Sequence, residues 1–81
     1  MTAYFMGWQP DSDVYGEAAG FAFGGRVLDL VVTYCDEKTF EWEVIDDSCT
    51  HERIAFGTAF SAAEARREAE SAVRREALSL V

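Results

Sequence analysis

The side chains able to do chemistry are few, and they crowd into residues 35–51: Cys35, Cys49, the sole histidine His51, and the acid pair Asp46-Asp47. These are ligand types that suit zinc. Tetrahedral sites, however, draw them from C-x2–4-C and H-x3–5-H spacings, and C-x-H is neither. Asp46-Asp47 lacks the alternating acids and terminal Glu of a calcium loop, so the pair reads as a solvated turn. A nucleophilic cysteine needs a base held beside it, and closeness in sequence does not give His51 that geometry with Cys49. Glu41 and Glu43 alternate along an apolar segment, which places them on an open sheet face without the burial that raises a general acid's pKa. The stretch GEAAGFAFGG lacks both the Lys-Ser/Thr of a P-loop and the strand–G-x-G-x-x-G–helix context of a dinucleotide site. No catalytic residue, metal or cofactor is expected.

The remaining candidates are Arg66, Arg67, Arg74 and Arg75, close together near the C-terminus. A basic helix face can follow phosphates. Here Glu64, Glu68 and Glu70 are interleaved with the arginines. Glu70 stands four residues before Arg74, the favoured orientation for a helical ion pair, so internal pairing is the expectation.

Charge divides the chain unevenly. Residues 1–53 hold eleven acids against three bases, while residues 54–81 hold four of each, so the first part carries the whole net charge of −8. Such a field disfavours direct contact with nucleic acid or an anionic membrane and favours a basic partner; the same surface also serves solubility. At 81 residues, 49% hydrophobic and 14% aromatic, the chain has the composition of one folded domain rather than a disordered segment. No apolar run approaches the ~18 residues of a membrane span, and MTAYFMGWQPD has neither part of a secretory leader. A cytosolic location with both cysteines as free thiols is therefore expected.

The elements that position these residues are clearest toward the C-terminus. Ser61 and Glu64 form an S-x-x-E capping box, and no Gly or Pro follows, so a helix is expected over 61–80. Its Ala62, Ala65, Ala69, Ala72, Val73, Ala77 and Leu80 fall on one arc, which Glu76 interrupts. An alanine stripe supplies little burial by itself and calls for large side chains opposite it. Three strands are expected to provide them: RVLDLVVTY (Arg26–Tyr34), FEWEVID (Phe40–Asp46) and RIAFGTAF (53–60). Their even-numbered positions are bulky, with Thr58 the exception: Leu28, Leu30, Val32, Tyr34, Phe40, Trp42, Val44, Ile54, Phe56 and Phe60. Keeping those faces together requires a loop of three or five residues between the first two strands.

Residues 1–25 are read as an irregular segment. Within it TAYFMGW forms a short strand stopped by Pro10, Asp11 or Ser12 caps a short helix through Ala19, and Gly24-Gly25 makes a turn. The expected fold is α+β: a three-stranded antiparallel meander packed on a C-terminal helix, in α-β-β-β-α order, with no division into further domains.

From Phe40 onward, two strands followed by Gly57, Ser61, Glu64, Ala65 and Arg66 resemble the C-terminal half of a double-stranded-RNA-binding domain. Ala62 and Ala63 stand where that family's phosphate-gripping lysines belong, so the resemblance implies topology and speaks against RNA binding. In size and charge the chain also resembles the small inhibitors of phages and mobile elements, anti-CRISPR proteins among them, several of which present carboxylates spaced like phosphates. This likeness implies a DNA-mimicking inhibitor of a nucleic-acid-binding protein or CRISPR effector. The groups expected to stand in for phosphates are Asp29, Glu41 and Glu43 on the outer sheet face, with Asp36, Glu37, Asp46 and Asp47 at adjoining turns; Trp8, Tyr4 or Phe5 would add an aromatic anchor. The other reading is a homodimer that buries the mixed outer face, with Val31, Ile45 and Ala55, or the aromatic N-terminus.

Overall fold

A computed structural model describes residues 3–13, 15–48 and 51–78, with Leu78 described by its backbone alone. The chain runs β1 (Tyr4–Asp11), β2 (Gly16–Phe23), β3 (Arg26–Tyr34), β4 (Phe40–Asp46), β5 (Glu52–Ala59) and α1 (Ala62–Leu78). The strands form one antiparallel sheet in the order β1-β2-β3-β4-β5, and α1 packs on one face of it. The expected α-β-β-β-α order with a three-stranded meander is thus incorrect. Among the described residues the sheet has five strands, there is no N-terminal helix, and the one helix follows the last strand.

The correction lies in residues 1–25. Pro10 does not stop a strand but sits inside β1, an edge strand and therefore a place where a missing N–H costs no ladder bond. The segment GEAAGFAF forms β2 although Gly, Ala and Glu are weak strand formers. Tertiary pairing overrides propensity here, because β2 is held on both sides by β1 and β3. Gly24 and Gly25, at φ 51° and 79°, close the β2–β3 hairpin as a two-residue turn whose positive φ values match the twist of the flanking strands.

In β3 and β4 the register keeps bulky even positions on the helix side. Tyr34 pairs with Phe40 and Leu28 with Asp46, spanning a five-residue loop from Cys35 to Thr39. Leu28, Leu30, Val32 and Val44 are fully buried. They meet Ala65, Ala69, Ala72 and Val73 of α1 in one core cluster, so the alanine stripe lets the helix lie close to large side chains.

The even-face rule fails in β5. A bulge between Val44 and Ile45 on the β4 side leaves Ile54 as the extra residue, and the register there changes. Glu43 then pairs with Phe56, and Phe40 with Ala59. A one-residue offset sends every following side chain to the other face. Phe56 is accordingly 68% exposed on the outer face and Ala59 fully buried on the helix side. Phe60, beyond the strand, is also exposed. The room left at Gly57 is taken by the Trp42 ring, three atoms of which lie 2.8 Å from where a β-carbon would stand.

Ser61 Oγ accepts from the Glu64 N–H at 3.1 Å, the N-cap bond that fixes the start of α1. At the far end Glu76 leaves the apolar arc to accept from Arg26 at 3.2 Å. Leu80, the last member of that arc, lies outside the described residues.

Candidate binding surfaces

Among the described residues no element packs over the outer face of the sheet. Alternation places Asp29, Glu41, Glu43, Val31 and Ile45 there, beside Phe56 and Thr58 of β5. Along β2 the same face shows only Gly16, Ala18, Gly20 and Ala22. A groove of about 350 Å³ follows this low strip, with Met6 and Gln9 along it and Asp11 and Asp29 among its walls.

The seven expected carboxylates divide into three groups. Asp29, Glu41 and Glu43 lie on the outer face, and Glu43 is shared with Arg53 at 3.5 Å. Asp29 lies beside Asp47. Its carboxyl is held above the usual range, first by partial burial and then by the neighbouring Asp47 charge. Asp47 also holds the His51 ring, with Nδ1 2.7 Å from Oδ1. That contact raises the imidazole pKa, with the Asp29 and Glu43 charges adding smaller shares. His51 itself occupies the left-handed region at φ 56°.

Asp36 and Glu37 form a separate group in the β3–β4 loop. Asp36 Oδ1 accepts the Lys38 N–H at 2.8 Å, and Glu37 is exposed. Asp46 falls outside both groups. It pairs across from Leu28 on the helix side, where Arg26 binds it at 2.7 Å. The Ser48 N–H, then Arg26, hold its carboxyl below the usual carboxylate range. Asp46 is a structural anion of the β3–α1 corner and does not belong to the outer acidic surface.

The helix charges also depart from expectation. Glu70 accepts the Trp8 indole N–H at 2.6 Å, and Glu68 accepts that of Trp42 at 3.1 Å. Arg66 reaches across to Glu17 of β2 at 2.7 Å. The expected Glu70–Arg74 pair is absent, and Arg67, Arg74 and Arg75 stand exposed with no carboxylate in salt-bridge range among the described residues.

Glu17 is the residue that the sequence does not announce. It is buried, with Oε1 bound by Arg66 and Oε2 by the Tyr34 hydroxyl. Donating to this carboxylate raises the Tyr34 pKa. An open cleft of about 460 Å³ beside it is lined by Trp8, Pro10, Tyr34 and Arg66. With both oxygens engaged, Glu17 acts as a brace joining β2, β3 and α1. The only advance signal is its position as the one charged residue in an Ala/Gly-rich strand.

Cys35 is exposed in the β3–β4 loop, whereas Cys49 lies outside the described residues. Among the described residues no group of three His, Cys, Asp or Glu side chains is arranged to hold a metal ion, and no helix is long and apolar enough to cross a membrane. Comparison of the chain with protein-family models, with curated proteins and with solved structures finds no match in any of the three.

Proposed function

We propose that this chain is a binding module that receives a basic surface of a protein partner on the outer face of its sheet. The observation that carries this reading is the uncovered face itself, where Asp29, Glu41 and Glu43 stand on two adjacent strands and, among the described residues, only Glu43 has a basic neighbour in salt-bridge range. The groove over β2 supports it further. A strip of Gly and Ala between two carboxylates suits the aliphatic stem of a lysine or arginine whose charged head ends at Asp29 or Asp11. A nucleic-acid-binding protein, a CRISPR effector among them, is the partner class with such side chains displayed in a row. Occupying that row would make the chain an inhibitor.

The test is calorimetry against a panel of purified nucleic-acid-binding proteins, with duplex DNA as competitor. A genuine partner binds at low salt, loses affinity steeply as salt rises, and is displaced by DNA. Glu41→Lys with Glu43→Lys abolishes the complex, while Asp46→Asn, on the other side of the sheet, lowers stability and leaves the interface chemistry intact. A complex indifferent to salt and to both charge reversals would refute this reading.

A further inference from the structure

We infer that β5 is a pairing edge, and that a second copy of this chain adds to it antiparallel to make a continuous ten-stranded sheet. The two edges of the sheet differ. β1 carries Pro10 and a bulge between Met6 and Gln9, two devices that blunt an edge against strand addition. β5 has its bulge near Ile54, and past that point residues 55–59 contain no charge and no proline.

Backbone alternation shows which groups are open. The Asp47 N–H donates to the Val27 carbonyl at 2.9 Å and the Cys35 N–H to the Thr39 carbonyl at 3.0 Å, so odd residues of β3 and β4 face each other. Even residues of β4 therefore turn their N–H and C=O toward β5, and with the register there they meet Ala55, Gly57 and Ala59. Phe56 and Thr58 are left with backbone donors and acceptors aimed away from the sheet.

A twofold axis at Gly57 sets Phe56 of one copy opposite Thr58 of the other and closes four hydrogen bonds between identical segments. The two exposed Phe56 rings then lie diagonally across the junction, covering each other on the outer face. The helix flank above this edge is complementary to itself. Glu64, Arg67 and Arg75 line a hollow over Trp42, and Trp42 covers Gly57. These three side chains have no ion-pair partner within the described residues. The twofold runs the helices in opposite directions, bringing the Glu64 end of one toward the Arg75 end of the other.

This pairing is independent of the acidic-face reading and is tested apart from it. Sedimentation of the full chain from about 1 µM to 1 mM should show a monomer–dimer transition. Amide exchange over the same range should slow at least tenfold at Phe56 and Thr58 only, because Gly57 and Ala59 are already bonded to β4. Phe56→Lys and, separately, Thr58→Pro should abolish the dimer while far-ultraviolet dichroism stays native, and Phe56→Leu should keep it. Glu41→Lys with Glu43→Lys should leave a dimer that no longer binds the basic partner. A chain monomeric at 1 mM overturns the inference. So does a dimer that survives Phe56→Lys, or one whose protection appears on β1 or across the outer face.

Discussion

Glu17 bears the largest consequence of any single side chain. A carboxylate this buried is tolerated only because a guanidinium and a phenol hydroxyl complete its hydrogen bonds. Glu17→Ala should lower unfolding free energy by about 2 kcal/mol in urea titrations, from the lost charge-assisted bonds and the Tyr34 hydroxyl left without its acceptor. Glu17→Gln, which keeps an acceptor but not the charge, should cost about half as much. Asp29 works in the other direction. Its folded pKa lies above the ordinary value for an aspartate, so the folded state holds that proton more tightly than the unfolded chain does. Stability from this group is present at acid pH and is lost as pH rises through 3.8 toward the folded value. Asp29→Asn should therefore melt higher than wild type at pH 7, with the difference closing as pH falls through about 4. Equal gains at pH 3 and pH 7 would assign the effect to packing instead.

Among the elements, β2 and β5 depend most on what stands beside them. At Gly16 an added β-carbon would lie 1.8 Å from the Val32 carbonyl oxygen, and at Gly57 2.8 Å from three Trp42 ring atoms, while at Gly7 it would meet nothing within 4 Å. Backbone cannot yield where a ring can tilt. Thermal unfolding of the three Gly→Ala variants should thus rank Gly16 worst, at about 3 kcal/mol or more, and Gly57 next at about 1–2 kcal/mol. Gly7 should be neutral or stabilised by up to about 0.5 kcal/mol. This ranking has the same origin as the limits of the sequence. β3 and β4 announce themselves through β-branched runs and strict alternation, and α1 through its cap and alanine arc. β2 carries none of those signals, since Gly16 answers to the close approach of Val32 and Gly20 to the Met6 side chain crossing it. The bulge at Ile54 is equally silent, because IAFGTAF alternates plausibly in either phase. The acidic outer positions on β3 and β4 followed from alternation. Asp46 did not, because its fate depended on Arg26, distant in sequence. Internal pairing of the α1 arginines fails where Glu68 and Glu70 are taken by two tryptophans of the sheet, which spacing along the helix does not reveal.

At the scale of the whole molecule, charge and layering point the same way. The helix side is knitted by pairs that join distant parts of the chain, and the outer side is left open with acids upon it. Each strand pairs only with its neighbours in sequence, which has a consequence in time. Neighbouring strands close short loops and lose little chain entropy in doing so. The contacts that span the chain are those of the late helix, such as Trp8 with Glu70, 62 positions apart. In stopped-flow refolding, substitutions in the β2–β3 hairpin should slow folding, whereas Trp8→Phe should leave the folding rate almost unchanged and speed unfolding. A ribosome releasing this stretch would thus hold a sheet with its leucine and valine face still bare until α1 emerges, and the helix arrives as the lid that ends that exposure.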